Sequence, residues 1–357
     1  MTTQSPREYR IVEPSPDDLP QQFQTRSIRR RVLQAVAALT VVVLIFVLTP
    51  GLGDVRDKLA GADPAWLALG VALEGLSFGS YLVAFGPIFC TGLSRRRVWQ
   101  IGGSELAMGS IIPASGAGGL ALGAWVLHRG GMPGRRIARR SVAFFLIKSS
   151  VNFVAVAVLG VLMALGVGPH RSLALTLLPA ILAALAIGVV AALPIVGAGA
   201  EPPPDASRFR RWSSETRRAV IHGITEAGQI LRSGEVGVVL GSIGYWAFDN
   251  AVLWATFHAF GLSPPITVIL MGYLIGQLGG LLPIPGGVGG ITGGLIGTLV
   301  VYGTPAAGTA AAVLAYQLIL FWLPLIVGGI AFAMLRRDMP GSYEFASCAP
   351  AIAAQSA

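Results

Sequence analysis

Leu281-Leu282-Pro283-Ile284-Pro285-Gly286-Gly287-Val288-Gly289-Gly290 lies inside a run of 85 residues, 251 through 335, that contains no Asp, Glu, Lys or Arg. At about 20 residues per crossing, such a run holds several membrane segments rather than one core helix. Its middle is unfit for a continuous helix, because proline removes a helical N–H and repeated glycine loosens the backbone. A second stretch has the same build: Ile111-Ile112-Pro113-Ala114-Ser115-Gly116-Ala117-Gly118-Gly119. Gly92-Leu93-Ser94 precedes it, as Gly261-Leu262-Ser263 precedes the other, and each unit closes at a later proline, Pro133 or Pro305. Glycine supplies 10 of the 34 residues in 101–134 and 12 of the 38 in 266–303, against 47 of 357 overall. Broken apolar segments at matching places in two halves point to the working centre of a transporter-like membrane protein.

Composition agrees. The chain is 54% hydrophobic and 12% charged, against about 25% charged for soluble domains. The net charge of +9 does not indicate nucleic acid. The arginines sit in short loops beside apolar segments, as the positive-inside rule requires. Cys90 and Cys348 form neither a disulfide framework nor a metal pattern. No metal-spaced His, Cys or carboxylate cluster, phosphate loop or dinucleotide fingerprint is present, so neither cofactor nor metal is expected, and no enzymatic activity.

The basic loops set the expected topology, an all-α polytopic protein with about six spanning helices and two re-entrant Pro-Gly hairpins. Residues 1–31 read as a disordered cytoplasmic tail and 32–49 as an uncleaved first helix running outward. A second helix returns over 64–86 to Arg95-Arg96-Arg97. The first Pro-Gly segment, 100–127, then ends at Arg129, Arg135, Arg136, Arg139 and Arg140. Both flanks are basic, and about 27 apolar residues are too few for two crossings. A hairpin that dips in and turns back resolves the conflict, provided protein or a wet cavity satisfies its backbone. Helices over 141–166 and 172–197 follow, then a polar, partly helical cytoplasmic loop, 200–235. A helix over 236–260, the second Pro-Gly segment over 266–303 and a last helix over 306–335 end at Arg336-Arg337. Counting crossings makes 64–166 and 236–335 an inverted repeat within a transmembrane domain of residues 32–337, with 338–357 a second cytoplasmic tail. A kinked helix pair in a conventional bundle is the plainer alternative, since membrane helices are rich in Gly and Pro.

Two hairpin tips entering from opposite faces meet near the midplane, where free N–H groups of half-helices suit an anionic group. Pro113, Gly116 and Gly118, with Pro283, Pro285, Gly286, Gly287 and Gly289, are the expected gate. Glycines that only allow tight hairpin packing are the competing reading. Intramembrane polar residues are functional candidates by default: Glu74, Glu105, Lys148, and Asp249 with Asn250 midway along their helix. Glu74 is a possible partner for Lys148, and Glu105 for a loop arginine. Lys148 also suits snorkelling to the cytoplasmic interface. Tyr316 and Gln317 are polar enough to face the hairpin tips.

The second unit carries a resemblance. Leu282-Pro283-Ile284-Pro285-Gly286-Gly287-Val288-Gly289, then Gly293-Gly294-Leu295, Gly303, Ala315-Tyr316-Gln317-Leu318 and Phe321-Trp322-Leu323-Pro324 resemble the lysylphosphatidylglycerol synthase transmembrane-domain family, also called flippase-like. The resemblance spans about residues 30–337. It implies an integral protein of a bacterial cytoplasmic membrane that moves a lipid or lipid-linked head group across the bilayer, with membrane lipid rather than nucleic acid as its partner. In the aminoacyl-lipid synthases this domain precedes a soluble transferase domain. None follows residue 337 here, so the chain looks like the stand-alone form. Where the family commonly has Glu this chain has Thr292, and where it commonly has Arg after the tyrosine this chain has Gln317. Both charges are replaced together by neutral polar residues, and both positions fall on the expected head-group path with Asp249, Glu74 and Lys148.

Overall fold

A computed structural model describes residues 27–30, 32–34, 36, 37, 40, 60–89, 93–111, 117–169, 172–197, 207–277 and 290–338. Ten helices of eleven residues or more follow in order among them: α1 (Pro64–Phe89), α2 (Arg95–Ile111), α3 (Ala117–Arg129), α4 (Gly134–Ala164), α5 (Leu173–Val196), α6 (Arg208–Arg232), α7 (Val236–Ala259), α8 (Ile266–Gly276), α9 (Gly290–Val301) and α10 (Ala306–Asp338). The described residues contain no strand. Five helices are long and apolar enough to cross a membrane: α1, α4, α5, α7 and α10. The chain is a polytopic all-α membrane protein.

The expected first helix, 32–49, lies mostly outside the described residues. Helical structure is already present at 27–30, within the expected tail, and Ile28, Val32 and Val36 pack on the core at four-residue spacing. The other long helices match expectation with shifted ends. α4 starts at Gly134 rather than 141, taking the Arg135–Arg140 stretch into its first turns. The 200–235 loop contains a helix of 25 residues, α6.

Each Pro-Gly segment supplies two short helices packed side by side. α2 lies along α3, and α8 along α9. Leu299 covers Gly272 and Leu295 covers Gly276, so α8 and α9 run antiparallel. Both pairs close on the same turn. Gly131 and Gly303 take positive φ of 91° and 89°, and the next amide reaches back over the turn, Met132 to Leu127 O and Thr304 to Leu299 O, each at 3.1 Å. This Schellman geometry strongly favours glycine at that point. Pro133 and Pro305 then begin α4 and α10.

The outer ends of the two pairs lie on opposite faces. Arg96 bonds Asp338 at the end of α10 (3.0 Å), and Arg140 Nη1 donates to Ile88 O at the end of α1 (2.8 Å). The arginines before α2 and after α3 therefore share one end of the bundle. At the other end Asp63 N donates to Ala259 O (2.8 Å), Tyr302 Oη donates to Leu175 O (2.6 Å), and Thr267 packs on Gly168. The ends of α4, α7 and α9 and the starts of α1, α5 and α8 gather there.

Two apolar cores result. One joins the second half of α1 to α2, α3, the start of α4 and the end of α10, around Phe85, Phe89, Phe144 and Leu335. The other joins the end of α7 to α8, α9 and the start of α10, around Phe257, Leu295, Leu299 and Tyr316. Leucines and valines on the outer faces of α1, α4 and α5, among them Leu76, Val158, Leu182 and Val189, stay exposed. In a membrane these surfaces meet lipid tails.

Candidate functional site

The buried polar residues collect where the two cores meet, at the crossing of α1 and α7. Glycine permits that crossing. A Cβ added at Gly241 would lie 2.6 Å from Ala84 N and 2.7 Å from Ser80 O, so the two backbones touch. Small residues at a repeated spacing (Gly237, Gly241, Gly244) are a usual route to close helix approach in membranes. Ser77 Oγ donates to Tyr245 O at 3.2 Å on one side of the site, and Val252 covers Gly70 on the other.

Between those contacts Glu74 of α1 and Asp249 of α7 face each other at 5% and 6% exposure, close enough for their charges to interact. Asp249 is held by two phenols: Tyr273 of α8 donates to Oδ2, and Tyr316 of α10 donates to Oδ1 at 2.9 Å. A second phenol–carboxylate pair lies in the other half, where Tyr81 of α1 donates to Glu105 Oε2 of α2 at 2.8 Å. Lys148 of α4 lies between them. Its ammonium sits 5.0 Å from the Tyr245 ring and 5.5 Å from the Tyr81 ring, and it attracts both Glu105 and Asp249.

The cluster thus draws side chains from α1, α2, α4, α7, α8 and α10. When ionised, its three carboxylates outnumber its single ammonium. Excess buried negative charge is costly unless a cation, a proton or a donor-rich ligand offsets it. Several polar atoms also lack a hydrogen-bond partner: Glu74 Oε2, Trp246 Nε1, Asn250 Oδ1 and Thr292 Oγ1. Trp246 and Asn250 are one turn apart on α7, and Asn250 Nδ2 donates to Trp246 O at 2.8 Å. Open atoms on Glu74 and on Trp246 and Asn250, which flank Asp249 along α7, suit a polar group arriving from outside the protein.

Of the residues expected from sequence, the structure brings Glu74, Lys148 and Asp249 together. The expected Glu74–Lys148 pair is not formed: Glu74 faces Asp249, while Lys148 serves Asp249 and Glu105. Lys148 turns inward over tyrosine rings rather than snorkelling, because those rings and the two carboxylates attract it more than the interface does. Among the described residues Glu105 pairs with no arginine. It points into the bundle because Gly123 on α3 leaves room for its carboxylate. Thr292 and Gln317 are buried on the adjoining helices α9 and α10 without a hydrogen bond between them, Thr292 Oγ1 being unpartnered. Gly118 lies in the first turn of α3. Pro113, Gly116, Pro283, Pro285, Gly286, Gly287 and Gly289 lie outside the described residues.

Sequence reasoning passed over Tyr81, Tyr245 and Tyr273. A signal existed, since a phenol inside an apolar run needs a hydrogen-bond partner once buried. Each donor also stands 24 residues from its acid, Tyr81 before Glu105 and Tyr273 after Asp249.

The family model described as the lysylphosphatidylglycerol synthase TM region matches residues 34–328. Two relatives, each described as a UPF0104 membrane protein of Methanothermobacter thermautotrophicus, are similar over most of their length. One is 26% identical over 339 residues, 88% of this chain and 96% of its own. The other is 23% identical over 314 residues, 82% of this chain and 91% of its own.

Proposed function

The chain belongs to the lysylphosphatidylglycerol synthase transmembrane-region family, and from that premise we propose that it carries a lipid, or a lipid-linked head group, across the cytoplasmic membrane. The observation that carries the reading is the buried cluster around Asp249, with Tyr273, Tyr316, Glu74 and Lys148, set inside a bundle whose outer surface is apolar. A head group crossing the bilayer needs a polar route, while its acyl chains remain in lipid. The open atoms of Glu74, Trp246 and Asn250 supply polar partners on such a route.

In this reading 64–166 and 236–335 are inverted repeats, and their two helix pairs dip in from opposite faces. The arginine-rich end is cytoplasmic, as the positive-inside rule favours. The outer ends of the two pairs, at opposite ends of the bundle, support the repeat. Movement of one repeat against the other would expose the cluster to each side in turn. The reading assigns transport and no bond chemistry.

A secondary transporter of a small soluble anion is the main alternative. Three carboxylates against one ammonium suit a head group that also presents a cationic or hydrogen-bond-donating group, which a small soluble anion lacks. The experiment is reconstitution in vesicles carrying a fluorescent phospholipid that dithionite bleaches only in the outer leaflet. Wild-type protein should render inner-leaflet label bleachable, and Asp249→Ala should slow this by about tenfold or more, equivalent to about 1.4 kcal/mol of barrier. Gradient-driven uptake of a soluble anion with no lipid movement would reject the proposal.

A further inference from the structure

α6 (Arg208–Arg232) carries a single apolar stripe in two different surroundings. In its second half, Gly223, Ala227 and Ile230 are buried, Gly223 packs on Val142 of α4, and Glu226 pairs with Arg140. One heptad earlier the same stripe continues as Thr216, Trp212 and Phe209. There the packing ends. Phe209 is 75% exposed and Trp212 62% exposed, with their rings 6.1 Å apart. Two adjacent exposed aromatics on a helix otherwise docked by that face call for a covering surface.

Its place in the fold identifies the cover. Arg217 Nη2 donates to Gly197 O at 2.8 Å, so the uncovered half of α6 starts where α5 ends. α5 is a lipid-facing helix whose Leu182, Leu185, Val189 and Ile195 are exposed. The end of such a helix marks the boundary between hydrocarbon and head groups. Arg208, Arg210 and Arg211 flank Phe209 and Trp212 in sequence. Aromatic residues beside arginines on an amphipathic helix at that depth form the usual composition of an interfacial anchor, and the cationic side chains favour anionic lipid.

We infer that the first half of α6 lies in the head-group layer of the membrane and grips anionic phospholipid through Phe209, Trp212 and Arg210. This surface is separate from the cluster around Asp249 and does not depend on what that cluster carries.

The test uses the full chain in phosphatidylcholine vesicles with or without phosphatidylglycerol. Trp212 emission is obtained as the difference between wild type and Trp212→Phe. Lipid brominated near the glycerol end of its chains should quench that emission, and aqueous iodide should not. The ratio of lipid to iodide quenching should rise about threefold with the anionic lipid, and high salt or Arg210→Gln should remove the rise. A nitroxide at Ser213→Cys, with Cys90 and Cys348 replaced by serine, should report the same depth without altering Trp212. Full iodide quenching in both vesicles would overturn the inference. So would equal lipid quenching with and without anionic lipid. Protection that follows protein-to-lipid ratio, with crosslinks between copies, would assign the face to a second copy and overturn it too.

Discussion

Tyr316, in the first third of α10, donates its phenolic proton to Asp249 Oδ1 on α7 at 2.9 Å, while Tyr273 of α8 donates to the other oxygen. One carboxylate thereby ties three helices together at the junction of the two cores. Tyr316→Phe removes one donor and adds no bulk. Such bonds are worth about 0.6 to 1.7 kcal/mol within membrane proteins, so the variant should unfold with about 1 kcal/mol less stability in a steric-trap or thermal assay. In an Asp249→Asn background the same change should have a smaller effect. Additive losses would show that the hydrogen bond does not couple the two residues.

The contact between α1 and α7 leads to a sharper contrast. Gly241 faces backbone atoms of Ser80 and Ala84, whereas Gly75, also on that helix pair, has nothing within 4 Å of where a Cβ would stand. Gly241→Ala should therefore lower stability by about 1 to 3 kcal/mol through overpacking. Gly75→Ala should be neutral or slightly stabilising, since alanine is the better helix former by up to about 1 kcal/mol. Matching behaviour of the two variants would contradict the close approach of the backbones.

Much of this arrangement was legible before the structure. The 85-residue uncharged run and the arginine clusters give the spanning helices, because membrane crossing imposes length and charge rules that act locally. Asp249, Glu74 and Lys148 stand out for the same reason. Their partners do not. Tyr81 and Tyr245 draw no attention in the sequence, and only the fold places them beside Lys148, with Tyr81 also on Glu105. The inward turn of Glu105 depends on the empty space above Gly123, a residue on another helix, and a single sequence records no such pairing. The 200–235 loop reads as polar and partly helical, but the apolar stripe of α6 does not stand out there, because six arginines and two glutamates share its 25 residues.

Topology follows from the ends of the helix pairs. With Cys90 and Cys348 replaced by serine, a cysteine at Arg95 and one at Arg135 should react with an impermeant maleimide from the same side. One at Leu165, which is exposed at the far end of α4, should react only from the other. Labelling of Arg95→Cys and Arg135→Cys from different sides would mean that α2 and α3 cross the membrane between them, and the inverted-repeat reading would fail.

The seat of Glu105 offers the last prediction. A Cβ at Gly123 would overlap the Glu105 carboxylate, whose flexible side chain can move aside where a backbone could not. Gly123→Ala should therefore leave the fold intact, with a loss of about 1 kcal/mol from the broken Tyr81 bond. Its larger effect should fall on transport, because the displaced carboxylate no longer faces Lys148 and the charge balance of the cluster changes. Tyr81→Phe breaks the same bond from the other side, so the stability losses of the two variants should overlap rather than add. A vesicle assay of the four members of that cycle, with unfolding measured in parallel, separates the two effects. Full additivity in stability, or unchanged transport in Gly123→Ala, would show that Gly123 does not position Glu105.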